Sequence, residues 1–439
     1  MTTLPASSAN SPRRILLASL AGTTIEFFDF YIYATAAVLV FPHLFFPNSD
    51  PASAVLQSFA TFAIAFFARP VGAALFGHFG DRIGRKATLV AALLTMGIST
   101  VLIGFLPTYE SIGVAAPLLL ALCRLGQGLG LGGEWGGAVL LATENAPPGK
   151  RTWYGMFPQL GAPIGFLLSA GLFLFLSERL DDAAFFTWGW RLPFILSACL
   201  VIIGLYVRLK ISETPAFQKA IDRQERVSVP IMTILREHKL SVLIGTFAAL
   251  ATFVLFYLMT VFSLSWGTSA LGYTRVEFLI YQMIGVLFFG ATIPVSAALS
   301  DRLGRRLVLI TTTAAIAVFG LFMAVLFQPD SPAAAMLFCI IGLALMGFTY
   351  GPLGAALADP FPTAVRYTGA SMAFNLAGIV GASLAPYAAT WLATSFGLAF
   401  VGYYLSASAM VTLLALFCIH EEKDGHPARL AKVPAAASS

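Results

Sequence analysis

A chain of 439 residues in which 58% are apolar and only 11% are charged cannot coat itself with a water-facing surface, because soluble domains carry roughly 25% charge. A mean hydropathy of +0.84 implies apolar stretches along the whole length, so most of the surface meets lipid and a soluble enzyme is excluded. The net charge of +5, from 26 Lys+Arg against 21 Asp+Glu, does not call for nucleic acid, since the basic residues cluster at the ends of the apolar stretches.

Spanning hydrocarbon takes about 20 mostly apolar helical residues. Twelve stretches qualify, at roughly 15–40, 54–78, 87–106, 112–143, 154–177, 191–209, 241–266, 277–299, 307–327, 332–357, 367–393 and 397–419. A closed barrel is excluded, because its strands alternate polar and apolar residues over about 10 positions, whereas Ala87–Leu106 holds no charge. The expected fold class is an all-α membrane protein of 12 transmembrane helices. With the amino terminus in the cytoplasm, 21 Lys and Arg fall inside and only Arg179, Arg191 and Arg275 outside, while Arg69 and Arg124 lie within helices. The excess of basic residues inside therefore predicts that both termini are cytoplasmic. The stretch after Arg13-Arg14 exceeds a signal-peptide core and lacks a small-residue cleavage site, so it reads as a retained first helix.

Ionisable groups inside spans are costly unless they face a cavity or a partner, so they mark a pathway by default. Five occur, all in the first half: Glu26, Asp29, Arg69, Arg124 and Glu134. On an ideal helix Glu26, Asp29 and Tyr33 lie within about 60° of one another, forming one polar stripe. Two carboxylates on one face repel when both are ionised, which disposes one of them to carry a proton; the other reading is a structural pair bonded to helix ends or arginines. The second span holds Arg69 and runs into Gly80-Asp81-Arg82-Ile83-Gly84-Arg85-Lys86. Arg124 opens a fourth span dense in glycine, where Gly128, Gly132 and Gly136 permit close helix contact. Arg124 either holds a carboxylate substrate or tunes a nearby acid. Glu134, about 80° around the same helix, is placed to meet Arg69 or the first span.

The mixed-charge stretch 210–240 reads as a cytoplasmic linker between an N-terminal bundle, 1–209, and a C-terminal bundle, 241–420, followed by a tail, 421–439. The second half offers neutral polar candidates for a cavity wall: Tyr257, Gln282, Tyr350 and Asn375. Cys123, Cys199, Cys339 and Cys418 stand singly in apolar runs and read as packing residues. No phosphate-binding loop and no metal-ligand spacing occurs, and no catalytic set is expected.

Ser300-Asp301-Arg302-Leu303-Gly304-Arg305-Arg306 repeats the earlier loop after the eighth stretch, 220 residues on. A second echo links Glu144, Pro147, Arg151 and Gly155 to Asp359, Pro362, Arg366 and Gly369. Two six-span halves have been duplicated in parallel, an arrangement that puts a substrate site between them. The Asp-Arg-x-Gly-Arg-Lys/Arg loop resembles the signature of the major facilitator superfamily. Within it, the chain resembles the metabolite:proton symporter family through Gly22-Thr23-Thr24-Ile25-Glu26-Phe27-Phe28-Asp29-Phe30, Ala68-Arg69-Pro70-Val71-Gly72, Arg124-Leu125-Gly126-Gln127-Gly128 and Phe361-Pro362-Thr363-Ala364-Val365-Arg366-Tyr367. Phe27-Phe28 stand where Trp-Tyr is usual, and Asp359 where Glu is expected.

The resemblance implies two pseudo-symmetric six-helix bundles in a bacterial-type inner membrane. It implies a monomer that moves a small organic acid or zwitterion with protons, with no cofactor. Proton coupling would fall to Asp29, Glu26, Arg124 and Glu134. Substrate contacts would come from Arg69, Arg124, Tyr33, Tyr257, Gln282, Tyr350 and Asn375. Asp81, Arg82, Gly84 and Arg85 would latch the halves together, and Asp301, Arg302 and Arg305 would brace the second half. An exporter or uniporter of the same fold is the alternative; a receptor or membrane enzyme would need an appended domain or a catalytic set.

Overall fold

The structure, a computed structural model, describes residues 12–83, 85–132, 134–210, 230–329, 331–362 and 365–419. The side chains of residues 12–15, 77–83 and 85–89, and of Glu134 among a few single positions, lie outside that description. Twelve helical spans follow in order. Those of the first half are Pro12–Leu39, Pro51–Ile83, Arg85–Phe105, Ala115–Leu131 with Glu134–Glu144, Arg151–Gln159 with Gly161–Arg179, and Leu192–Lys210. Those of the second are Lys239–Tyr257 with Leu258–Phe262 and Ser263–Ser269, Arg275–Leu303, Arg305–Leu326, Pro332–Ala358, Arg366–Ala377 with Gly378–Ser383 and Ala385–Phe396, and Leu398–Cys418.

No strand occurs among the described residues. That is the physical requirement of a lipid solvent, in which each backbone polar group must be bonded within its own helix. Ten of the helices are long and apolar enough to cross a membrane, and Val90–Phe105 is a shorter apolar core within the third span. Large apolar side chains such as Leu102, Phe105, Leu118 and Leu122 point outward from the bundle, as expected where the surrounding medium is hydrocarbon. The four cysteines are free and separate.

Three spans expected to be continuous are not. The fourth helix stops at Leu131 and resumes at Glu134. The fifth breaks at Leu160, where Pro163 has no N–H to return to the carbonyl of Gln159. The seventh passes through a π turn at Leu258–Phe262. Gln282 of the eighth span stabilises that turn: its Nε2 donates to the carbonyls of Met259 and Thr260, at 3.0 and 2.6 Å, and to Ser263 Oγ. A second π turn, Gly378–Ser383, interrupts the eleventh span.

Close approach of the second and fourth spans depends on glycine. A Cβ on Gly132 would fall on the carbonyl oxygen of Arg69, and one on Gly128 would fall on that of Ala65. Of the expected linker, Pro230–Glu237 is a short helix, while 211–229 lie outside the described residues, as does the tail.

Candidate functional site

The halves enclose a cavity of about 30 Å³, room for one or two water molecules. Arg69 is the one charged residue lining it; Phe27 and Tyr31 come from the first span, Tyr257 from the seventh, Tyr350 from the tenth and Phe374 from the eleventh. Arg69 is only 7% exposed. Its guanidinium carbon lies 4.9 Å from the ring centroids of both Phe30 and Phe66, its Nε has no hydrogen-bond partner, and it makes no ion pair among the described residues. Ring faces compensate part of the cost of burying that charge, by up to about 2 kcal/mol per desolvated contact.

Next to it lies a second buried cation. Arg124 is fully enclosed, with its guanidinium 4.1 Å from the Tyr33 ring and 4.5 Å from that of Phe30. Its Nε donates to the carbonyl of Phe62 at 3.3 Å and its Nη1 to Gln127 Oε1 at 3.0 Å, leaving Nη2 without a partner. Gln127 Nε2 in turn donates to Thr100 Oγ1 at 2.8 Å. Thr100 stands within reach of the Asp29 carboxylate, which is 1% exposed and accepts from Ser197 Oγ at 2.5 Å. Acid and base are therefore joined by a buried relay, Asp29 to Thr100 to Gln127 to Arg124, and not by a direct ion pair. A carboxylate with hydroxyl partners but no adjacent cation can be neutralised by one proton, which removes the cost of burying its charge.

The family described as Sugar (and other) transporter matches residues 15–234 and 232–426. The "Inner membrane metabolite transport protein YhjE" of Escherichia coli (strain K12) is 58% identical over 422 residues, which cover 94% of this chain and 95% of that protein. The chain belongs to this family of major facilitator transporters. The "Shikimate transporter" of the same organism is 36% identical over 431 residues, covering 95% and 96%. Among solved structures, a D-xylose-proton symporter superposes with a TM-score of 0.72 at 18% identity, over 92% of this chain and 96% of that one. The superposition agrees in fold with the twelve spans, and the chain is a multi-pass membrane transporter of metabolites, not an enzyme.

The polar stripe of the transporter's first span splits among three neighbours. Asp29 turns to the sixth span through Ser197, and Tyr33 donates to Thr61 Oγ1 of the second at 2.8 Å. Glu26 lies close enough to act electrostatically on Tyr31 and Tyr350. Helical periodicity gave the angle between these residues but not the neighbours each would meet. Tyr257, Tyr350 and Arg69 line the cavity as expected, whereas Tyr33, Arg124, Gln282 and Asn375 do not. Gln282 spends its amide on the π turn. Asn375 Nδ2 donates to the carbonyl of Gly132 at 3.3 Å, joining the eleventh and fourth spans. The side chain of Glu134 lies outside the described residues, as do those of Asp81, Arg82 and Arg85 and the whole of Gly84.

At the end of the transporter that carries the loop motifs, the second copy bridges the halves. Asp301 accepts from the backbone N–H groups of Thr152 and Trp153, at 3.0 and 2.9 Å, at the start of the fifth span, where the helix dipole favours a negative charge. Arg305 Nη2 meets Asp359 Oδ2 at 2.6 Å within the second half, and Arg151 of the first half reaches Asp359 Oδ1 at 3.7 Å. Arg302, expected to take part, is exposed and has no partner among the described residues. Arg306 instead caps the twelfth span, donating to the carbonyls of Leu416 and Phe417. At the opposite end, Arg275 Nη2 meets Asp182 Oδ1 at 2.7 Å across the halves, with its guanidinium 4.3 Å from the Phe185 ring.

Sequence reasoning missed Tyr31, Ser197, Thr100, Gln159 and Trp135. Trp135 Nε1 donates to Gln159 Oε1 at 3.0 Å, and Gln159 Nε2 to the carbonyl of Tyr350 at 3.0 Å, which ties the fourth, fifth and tenth spans together. Gln127 had a signal, since it sits three residues after Arg124 and so on the same face. Ser197 had none: one serine among many in apolar helices, it is singled out only by what packs against it.

Proposed function

We propose that this transporter takes up a small organic acid or zwitterionic metabolite together with protons by alternating access, its motif-bearing end and both termini facing the cytoplasm. The observation that carries the reading is Asp29, a fully buried carboxylate bonded to Ser197 and joined to Arg124 only through Thr100 and Gln127. Loading a proton on Asp29 lowers the cost of moving it through hydrocarbon-lined surroundings, and the relay lets the change in charge reach Arg124 and the Phe30 ring it shares with Arg69. Inter-half bonds at both ends, Asp301 with the fifth span and Arg275 with Asp182, are the contacts that would break alternately. The basic residues gathered at the motif-bearing end support the orientation.

Two names among the relatives agree with this reading, a metabolite transport protein and a shikimate transporter. In reconstituted vesicles, uptake of a labelled acid that thermally stabilises the purified protein is expected to exceed equilibrium only under an inwardly directed proton gradient. Equal uptake with and without the gradient would assign a uniporter, and gradient-driven loss from preloaded vesicles an exporter.

A further inference from the structure

The charge inventory of the cavity is one-sided. Arg69 is more than nine-tenths buried, has no ion-pair partner among the described residues, and is the only charged side chain on the wall. Most of the rest is aromatic, including Phe27, Tyr31, Tyr257, Tyr350 and Phe374. A buried guanidinium without a counter-ion is costly, and its planar fork matches a carboxylate through two parallel hydrogen bonds. One carboxylate on a ligand therefore completes Arg69.

A second carboxylate would find no partner. Arg124 does not line the cavity, and its Nε and Nη1 already serve Phe62 and Gln127. An ammonium group would fare no better, since no carboxylate lines the wall and Glu26 is not among the lining residues. Rings attract a cation, but here they surround one that is already fixed, and like charges in a poorly solvated space repel strongly.

We propose that this site selects monocarboxylates with an uncharged body. The carboxylate pairs with Arg69, the body packs against Tyr31, Tyr257 and Phe374, and dicarboxylates, tricarboxylates and betaine-type zwitterions are rejected. The inference rests on the transport reading above and narrows its substrate.

Three probes isolate charge from shape. Glycine betaine and 3,3-dimethylbutanoate share one shape, with a quaternary nitrogen in one where the other has a quaternary carbon, and succinate adds a second carboxylate at similar size. Binding to the purified full-length transporter in detergent, without a proton gradient, is expected to be at least tenfold tighter for 3,3-dimethylbutanoate than for either other probe. Arg69→Met should lose that binding by at least tenfold and Arg69→Lys should retain part of it, with both variants unfolding in one cooperative thermal step like the wild type. Betaine or succinate binding as tightly as 3,3-dimethylbutanoate, unchanged binding by a folded Arg69→Met, or no binding of any probe would overturn the proposal. A failure of the symport reading has a different signature: selective binding intact, with uptake indifferent to the gradient.

Discussion

The indole of Trp135 lies nearly flat on the ring of Phe374, with centroids 3.5 Å apart and planes 10° from parallel. Trp135 belongs to the first half and Phe374 to the second, and Phe374 also forms part of the cavity wall. The same indole donates to Gln159, which reaches the backbone of Tyr350. One side chain thus closes the space between the cavity and the motif-bearing end and fixes two of the residues around it.

Replacing Trp135 with alanine removes the stack and the Gln159 hydrogen bond, from a residue that is 5% exposed. Truncating a buried tryptophan costs about 3–5 kcal/mol, and the part of that cost specific to the closed end shifts the conformational balance. A cysteine introduced at Ala162, on the cavity wall, should then react with a membrane-impermeant thiol reagent from the motif-bearing side at least tenfold faster than in a Trp135 background.

Asp301 and Arg302 are neighbours in the same motif with opposite expectations. Asp301→Ala breaks two bonds to the start of the fifth span; with partial solvent screening the loss is about 2 kcal/mol. Arg302→Ala removes an exposed side chain with no partner among the described residues and should stay within about 0.5 kcal/mol. Thermal unfolding of the two purified variants, side by side with wild type, checks the contrast.

At the opposite end, the Arg275–Asp182 pair is solvent-exposed on its acidic side, where Asp182 is 81% accessible. Exposed pairs contribute about 0.2–1 kcal/mol, so Arg275→Ala should raise accessibility of the cavity from that end by no more than about fivefold. The charge-swapped double variant, Arg275→Asp with Asp182→Arg, should recover most of the change. Labelling rates of the same Ala162→Cys reporter from that side provide the measurement.

Gly132→Ala places a methyl group on the carbonyl oxygen of Arg69. Overpacking of this kind costs about 1–3 kcal/mol, and because the obstructing atom is backbone, relief requires the second and fourth spans to separate. A lower Tm is expected together with weaker ligand binding, since Arg69 moves with its helix. Gly137→Ala, where the nearest atom is the edge of the Tyr367 ring at 3.4 Å, is the matched control with little effect.

Much of this architecture is legible in the chain. Ala87–Leu106 could only be a span, and the repeated loop motif declared two halves before any coordinates. Arg69, Tyr257 and Tyr350 were found because ionisable and phenolic groups are expensive in lipid and so stand out. The breaks in the fourth and seventh spans were not legible, because a π turn needs an external donor such as Gln282 to hold its carbonyls, and that donor lies in another helix. The relay from Asp29 was hidden for the same reason. Rotation of each helix about its axis is set by packing against its neighbours, so periodicity placed Asp29 and Glu26 on one stripe without revealing that they serve different spans.

The central claim is that protons move with substrate through Asp29, and a pH electrode outside weakly buffered vesicles tests it most directly. Adding a transported acid should alkalinise the medium with wild-type protein, in fixed proportion to the substrate taken up. Asp29→Asn should abolish that alkalinisation while counterflow of labelled substrate continues. Alkalinisation by Asp29→Asn at the wild-type ratio would contradict the account.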